Sequence, residues 1–135
     1  MSNIYAQSDK PLDTAHRPTD IRYDSQTHIM TVDFDDGKRF TYPAELLRVE
    51  SPSAEVQGHG PSQKQIVAER KYVGIVAIEP VGNYAVRIRF DDMHDTGIYS
   101  WPYLRKLGEN QDEIWQTYLR NLEAQGLSRE PTRRG

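Results

Sequence analysis

One short stretch of the sequence, FDDMHDTGIYSWPYL at residues 90–104, brings together side chains that could carry out chemistry. His94 lies between Asp92 and Asp95, and an imidazole near carboxylates is typical of divalent-metal sites and of general acid–base pairs. The same residues are also typical of a solvated hairpin tip, because aspartates accept backbone hydrogen bonds in turns. A metal site, an acid–base site and a polar turn all stay open at this point.

Few other residues could share a metal ion with His94. A non-haem iron oxygenase holds its metal with two histidines and a carboxylate, commonly in an H-x-D pattern. The four histidines stand in the contexts HRP, HIM, HGP and HDT, so the chain is not predicted to be such an oxygenase by itself. His59, in a glycine-flanked loop, is the remaining candidate co-ligand, since His16 and His28 are expected to be solvated. The chain has no cysteine and no G-x-S-x-G, H-E-x-x-H or phosphate-loop motif.

Aromatic and cationic side chains near this stretch each allow two interpretations. Tyr99 and Trp101 could form the wall of a small pocket beside His94, or they could close the core over the sheet. Four arginines are candidates for a basic face: Arg48, Arg87, Arg89 and Arg105. Because aspartate and glutamate are interspersed with them, the sequence favours ordinary ion pairs over a site for an anionic partner.

In the first half of the chain, alternating apolar and polar residues predict three short antiparallel strands within residues 19–42. A turn at Asp36-Gly37 separates the last two strands, and Pro43 opens a short helix, PAELLRV. The segment ESPSAEVQGHGPSQKQ that follows is rich in serine, glycine and proline, so it is predicted to be a long loop.

The second half repeats this plan. KYVGIVAIEP and NYAVRIRFDD predict a hairpin, TGIYS a third strand, and Pro102 the start of a helix. FDDGKRFTYPAELLR (34–48) aligns with FDDMHDTGIYSWPYLR (90–105), since both run from Phe-Asp-Asp through a turn and a strand to a Leu-Arg helix. The sequence therefore predicts an α+β fold of two β-β-β-α units with antiparallel sheets and short helices.

A C-terminal amphipathic helix is predicted over NQDEIWQTYLRNLEAQG, with Asn110 as N-cap and Glu113 completing a capping box. Its apolar stripe consists of Ile114, Trp115, Tyr118, Leu119 and Leu122. Trp115 is therefore expected in the core, and Gly126 is expected to end the helix.

Length and composition limit the kind of protein. A chain of 135 residues suits one domain, predicted over residues 17–127 with flexible tails at 1–16 and 128–135. A formal net charge of −3 with mixed signs argues against a nucleic-acid partner. No apolar run has membrane length and no secretory signal begins the chain, so we predict no membrane partner and a cytoplasmic location.

The block EPVGNYAVRIRFDDMHDTGIYSWPYL, with the earlier FDDGKRFTYPAELLRVESPSAEVQGHG, resembles the gamma-butyrobetaine hydroxylase-like N-terminal domain family. The resemblance implies a stand-alone bacterial-type member of a domain that also occurs at the N-terminus of gamma-butyrobetaine and trimethyllysine dioxygenases, and joined to P-loop ATPases of iron–sulfur cluster assembly. In the dioxygenases the domain is not catalytic, and it holds a structural zinc with three cysteines, spaced C-x-C-x-x-C, and one histidine.

Most of the zinc positions implied by this resemblance are changed here. The cysteine positions fall on Ser51, Ser53 and Val56, and the histidine position falls on His94, which follows Met93 where the family has glycine. A serine hydroxyl stays protonated near neutrality and valine offers no donor, so neither a tight zinc site nor any other cofactor is expected.

A weak, oxygen-rich site for a divalent metal is the most that the remaining residues could form. Its candidate ligands are His94, Asp92, Asp95 and His59. Without a metal, the segment 50–70 is expected to lose its anchor to the His94 turn and to be the most mobile internal segment.

These observations lead to a non-catalytic accessory or protein-interaction domain with an unknown protein partner. A link to iron, iron–sulfur or 2-oxoglutarate oxygenase pathways is implied only by the family resemblance. The alternative is a small metal-dependent enzyme, or an oxygenase subunit, that uses His94 with Asp92 and Asp95. A third possibility is a small-molecule sensor in which Tyr99 and Trp101 form a stacking wall.

Overall fold

The computed structural model describes residues 16–58 and 64–132. In chain order its elements are β1 (Pro18–Asp24), β2 (Ile29–Phe34), β3 (Arg39–Pro43), α1 (Ala44–Val49), α2 (Ala54–Gln57), β4 (Ile75–Val81), β5 (Ala85–Phe90), β6 (Gly97–Ser100), α3 (Trp101–Glu109) and α4 (Gln111–Ala124). None of the helices within this described part is long and apolar enough to cross a membrane.

The strands form two separate three-stranded antiparallel sheets, ordered β1-β2-β3 and β4-β5-β6. The predicted α+β class and the two β-β-β-α units are therefore confirmed. Helix α2 is an addition to the prediction, because it lies inside the segment that the sequence assigned to a loop. Its N-cap is Ser53, whose hydroxyl accepts a hydrogen bond from the amide of Glu55 at 3.1 Å.

One apolar core lies between the two sheets and the helices. The middle strand of each sheet contributes every second residue, as the alternation predicted. These buried residues are Met30, Val32 and Phe34 on β2, and Val86, Ile88 and Phe90 on β5. Helices α1 and α3 add Leu46, Leu47, Leu104 and Leu107. Burial of these side chains holds the sheets together, since neither sheet could bury its apolar face alone.

Two buried tyrosines connect the units reciprocally. The hydroxyl of Tyr42, at the end of β3, donates to the carbonyl of Leu104 on α3 at 2.7 Å. The hydroxyl of Tyr99, on β6, donates to the carbonyl of Leu47 on α1 at 2.5 Å. Both side chains are fully buried, and each third strand is thereby bound to the helix of the other unit.

Two ion pairs also join the helix of one unit to the turn of the other. Arg105, at the equivalent place to Arg48 in the aligned halves, donates to Asp36 at 2.8 Å. Arg48 in turn donates to Asp92, the aspartate equivalent to Asp36, at 2.8 Å. The Phe-Asp-Asp turn of each unit therefore binds the helix of the other, which explains why both halves carry the same residues at these places.

The junction between α3 and α4 differs from the prediction. Asn110 stands between the two helices, and its side chain makes no cap hydrogen bond to α4, so the predicted capping box is wrong. The nitrogen of its side-chain amide instead donates to the carbonyl of Lys106 at 3.0 Å. Because a single residue joins the helices, Asn110 is also the C-cap of α3 and its side chain serves that end. The apolar stripe of α4 packs as predicted, with Tyr118 and Leu122 buried.

The residues after α4 pack against the domain. Arg129 donates to both carboxylate oxygens of the buried Glu45, at 2.7 and 2.9 Å. The amides of Glu69 and Lys71 donate to the carbonyls of Ser128 and Arg129 at 2.9 and 3.1 Å. These contacts join residues 128–132 to the folded unit, whereas the sequence predicted a flexible tail from residue 128. The predicted N-terminal tail lies outside the described residues except for its last residue, 16.

Gly108, in the last turn of α3, offers a test of this packing. A Cβ atom there would lie 2.6 Å from Cγ of Phe40 and 2.9 Å from the hydroxyl of Tyr42. We expect Gly108→Ala to lower the free energy of unfolding by about 1–3 kcal/mol in urea denaturation, because overpacking outweighs the ~1 kcal/mol that alanine gains over glycine in a helix. Gln116→Ala, on the exposed side of α4, is the control and should change it by less than about 0.5 kcal/mol. A more stable Gly108→Ala protein would contradict the close approach.

Candidate functional site

His94 points into the protein rather than out from the hairpin tip. The carboxylate of Asp92 accepts its backbone amide at 3.2 Å, and Met93 before it has a positive φ of +78°, so the turn directs the imidazole inward. The residue is 6 % exposed. Its Nε2 lies 2.9 Å from Oγ of Ser51, and its Nδ1 lies 3.1 Å from a carboxylate oxygen of Glu55.

This chain of serine, histidine and carboxylate has the connectivity of a hydrolase triad. The partners assign the tautomer: Nδ1–H donates to Glu55, and Nε2 accepts the hydroxyl proton of Ser51. However, Ser51 is fully buried, and a Cβ atom at Gly97 would lie only 2.5 Å from its hydroxyl oxygen. A substrate has no room to reach this oxygen, so the arrangement does not form an accessible nucleophile.

The positions implied for zinc cysteines all lie at this corner. The hydroxyl oxygen of Ser51 accepts the amide of Ser53 at 3.2 Å, and the hydroxyls of Ser53 and Thr96 are 2.8 Å apart. Val56 is 2 % exposed and packs as an ordinary core residue. The expectation that the segment 50–70 has no anchor to the His94 turn is therefore wrong, since hydrogen bonds provide one. Neither Thr96 nor Glu55 was identified from the sequence; the N-cap pattern at Ser53 was the one available signal for Glu55.

The electrostatics of the corner favour the neutral form of His94. Burial lowers the pKa of His94 below its usual 6.5, the positive charge of Arg48 lowers the pKa further, and Glu55 and Asp92 oppose both effects only in part. Burial is the largest single influence on the pKa of Asp92 and raises it. Hydrogen bonds from Arg48, from the amide of His94 and from Arg70 together outweigh burial, so the pKa of Asp92 is lowered.

The structure separates the other candidate metal ligands. One carboxylate oxygen of Asp92 accepts hydrogen bonds from Arg48 at 2.8 Å and from Arg70 at 2.6 Å, while Asp95 is exposed. Within the described ranges, the ligand atoms of His94, Asp92 and Asp95 do not come together as a possible metal-binding group. His59 lies outside the described residues.

The two candidate pocket aromatics serve the packing of the domain. Tyr99 is fully buried, and burial raises the pKa of its hydroxyl. Trp101 is half-buried, and its indole N–H donates to the carbonyl of Asn83 at 2.8 Å. The four arginines are paired with carboxylates, as the sequence favoured: Arg48 with Asp92, Arg105 with Asp36, and both Arg87 and Arg89 with Glu79.

A different cluster with metal-ligating side chains lies at the first hairpin tip. His16, Asp35 and Asp36 place one ligand atom each within 4.8 Å of one another. Asp36 already binds the guanidinium of Arg105, and hydrogen bonding from Arg105 lowers its pKa despite opposing desolvation. A cation at this exposed cluster would have to compete with Arg105, so the arrangement favours an ion-pair network. The sequence placed His16 in the tail and missed this contact.

Comparisons with known proteins agree with this architecture. The sequence model described as gamma-butyrobetaine hydroxylase-like, N-terminal, matches residues 21–105. The chain belongs to this family. The match spans both β-β-β-α units of the gamma-butyrobetaine hydroxylase-like N-terminal domain and ends within α3, so α4 lies outside it. No curated protein gave a significant match.

Solved structures of similar proteins share both the fold and much of the sequence. One solution structure determined by NMR is 45% identical, with a TM-score of 0.77, and covers 93% of this chain and 94% of that chain. A second is 39% identical, with a TM-score of 0.75, and covers 88% and 94%. A crystal structure of a protein with unknown function of the DUF971 family from Acidithiobacillus ferrooxidans is 40% identical, with a TM-score of 0.58, and covers 68% and 92%.

Proposed function

We propose that this domain is a non-catalytic accessory protein that acts by binding another protein. The observation that carries the proposal is the burial of Ser51 and His94 within the Ser51–His94–Glu55 chain. Its serine is 0 % exposed and its histidine 6 % exposed, and together they tie the segment after α1 to the β5–β6 turn. The one hydrolase-like arrangement among the described residues thus stabilises the fold, and its serine does not face a substrate.

We also propose that the domain holds no tight zinc. The donors at the four positions implied by the family resemblance are the hydroxyls of Ser51 and Ser53, the imidazole of His94, and nothing from Val56. Hydroxyls that stay protonated are poor zinc ligands, and Nε2 of His94 already accepts the Ser51 proton. Elemental analysis of the protein purified without a histidine tag is the test; one equivalent of bound zinc would overturn the proposal.

The wider setting of the proposed function follows from the family. The occurrence of such domains in 2-oxoglutarate dioxygenases and beside iron–sulfur assembly ATPases supports a partner in iron, iron–sulfur or oxygenase pathways. A cytoplasmic location stays a prediction from the sequence. The absence of a nucleic-acid partner also stays a prediction, supported by the formal net charge of −3.

Glu55→Gln separates the proposed function from a hydrolase built on Ser51, His94 and Glu55. The side chain of Glu55 is 65% exposed, so the substitution leaves the fold in place while it removes the charge that would assist His94 as a base. We expect the wild-type protein and the variant to capture the same proteins from native lysate, and the captured partner to bind both equally when it is purified.

Such a hydrolase predicts a different result for the same pair of proteins. A hydrolase built on His94 would cleave p-nitrophenyl acetate, and the Glu55→Gln variant would lose most of that rate. We expect no hydrolysis above the solvent rate from either protein. Turnover by the wild type that disappears in the variant would overturn the non-catalytic proposal.

A further inference from the structure

The β5–β6 turn carries an exposed apolar side chain on strained backbone. Met93 is 88 % exposed and has φ +78°, a region that residues other than glycine rarely adopt. The equivalent turn of the first unit has Gly37 there, with φ +87°. The amide of Met93 donates to the carbonyl of Phe90 at 3.3 Å, as that of Gly37 does to Phe34 at 3.0 Å. The chain therefore builds the same turn once without strain and once with it, and the exposed methionine adds little internal packing to offset the cost.

A shallow depression lies beside this methionine. It has a volume of about 260 Å³ and is lined by Val76, Arg89, Phe90, Asp91, Met93 and Asp95. Val76 is 63 % exposed, whereas Phe90 is 3 % exposed and belongs to the core. The volume lies below the usual range of small-molecule sites, so the depression suits a single side chain from a macromolecule better than a metabolite.

The charge around the depression is acidic. Asp91 and Asp95 are both exposed, and neither forms an ion pair within residues 16–58 and 64–132. The lining contains one cation, Arg89, which already lies 3.5 Å from the carboxylate of Glu79. Within the described part of the chain, the border of the depression therefore offers two carboxylates that have no ion-pair partner.

Resting on the proposed interaction function, we propose that these residues form a docking surface for a partner protein. The Met93 surface, defined as Val76, Phe90, Asp91, Met93 and Asp95, takes a segment in which one apolar side chain is flanked by lysine or arginine. The apolar side chain packs against the flexible thioether of Met93, and the cations pair with the two carboxylates. A second copy of this chain fits less well, because a twofold contact would bring the same carboxylates face to face.

The test begins with the full-length protein and a random peptide library displayed on phage. We expect selection of peptides that combine an apolar residue with adjacent lysine or arginine. The synthesised peptides should bind at least about tenfold more weakly to Met93→Gly and to the double variant Asp91→Asn/Asp95→Asn. Leu127→Ala, which shortens an apolar side chain that is 40 % exposed elsewhere, is the matched control and should bind like the wild type.

Loss of folding cannot account for weaker binding by the glycine variant. Glycine relieves the positive φ at this position, so Met93→Gly should raise the urea midpoint of unfolding rather than lower it. Equal affinity of the variant and the wild type, or selection of peptides that lack basic residues, would overturn the assignment of this surface. Self-association of the wild type that Met93→Gly abolishes would overturn it in favour of a second copy.

The proposed interaction function fails by a different result. If a partner captured from lysate binds Met93→Gly as well as the wild type, the Met93 surface is wrong and the interaction function stands. If the wild type captures no protein and selects no peptide, the interaction function itself is wrong.

Discussion

Replacing His94 with alanine is expected to lower the free energy of unfolding by about 2–4 kcal/mol. The His94 side chain is 3 % exposed and bonded at both ring nitrogens, so its removal leaves a cavity and a buried Ser51 hydroxyl without its acceptor. Urea denaturation measures the loss. Asp95→Ala, at the exposed neighbouring position, is the control and should cost less than about 0.5 kcal/mol. A cost for His94→Ala as small as that of the control would contradict a structural role for the histidine.

The same substitution should also release the segment after α1. Amide hydrogen exchange in residues 51–58 should become faster in His94→Ala, because that segment is tied to the β5–β6 turn through Ser51 and Glu55. A double-mutant cycle with Ser51→Ala should give a coupling energy of about 0.5–3 kcal/mol, as for residues in one hydrogen-bond network. Additive effects would show that the two side chains act independently.

The pH dependence of stability should carry the signature of a buried neutral histidine. Burial and the charge of Arg48 lower the pKa of His94 below 6.5, so the unfolded chain takes up a proton more readily than the folded one. The contribution of His94 to the free energy of unfolding is therefore complete above pH 6.5 and is lost as the pH falls below that value. Asp92, whose pKa is lowered from 3.8, contributes to stability above that pH and loses this contribution only as the pH falls further, so it does not affect the slope near pH 6.5. His94→Gln keeps most of the side-chain volume. In a plot of the free energy of unfolding against pH, it should remove the part of the slope just below pH 6.5 that is due to His94.

Restoring the three cysteines is expected to create a zinc site. In Ser51→Cys/Ser53→Cys/Val56→Cys, three thiolates would join the imidazole of His94 at the corner where hydrogen bonds now hold these segments together. Structural zinc sites of this kind supply about 10–16 kcal/mol of apparent binding free energy in small peptides. We expect the variant to bind one equivalent of zinc and to gain several kcal/mol of stability from it.

The metal-free variant should be less stable than the wild type. A sulfur atom is larger than the hydroxyl it replaces, and a Cβ atom at Gly97 would already lie 2.5 Å from the Ser51 oxygen. Thermal denaturation with zinc and with a chelator measures both effects. The double variant Ser51→Cys/Ser53→Cys is the control, since it lacks one ligand and should gain much less from zinc. A folded triple variant that does not bind zinc would show that this corner does not have the ligand geometry implied by the family.

Much of the fold was predictable because its signals are local. Alternation along β2 and β5, the proline at the start of α1 and the aligned Phe-Asp-Asp segments all act within a few residues, and the structure confirms the elements they predict. The capping box at Asn110 failed because the end of α3 competes for the same side chain. A local pattern cannot show that a neighbouring helix ends at the same residue.

The candidate site was predictable only in part, since its contacts join distant segments. The resemblance placed Ser51, Ser53 and Val56 near His94, but it could not show the hydrogen bonds that join Ser51 to His94 and Ser53 to Thr96. The contact of Ser53 with Thr96 joins residues 43 positions apart, and the pairing of Asp92 with Arg48 joins residues 44 positions apart. Such contacts depend on the packing of one unit against the other, which no pattern within either unit contains.

The reciprocal contacts between the units have a consequence for how the two halves can vary. In an isologous dimer, a residue on one subunit contacts a partner residue and receives the same contact in return. The Tyr42–Leu104 and Tyr99–Leu47 hydrogen bonds follow that rule within a single chain. The two halves therefore contact each other as the two subunits of such a dimer do. Because both halves belong to one chain, they can carry different residues at equivalent positions. Gly97 leaves space for Ser51, whereas at the equivalent crossing Gly108 leaves space for Phe40, so the polar corner exists in one half only.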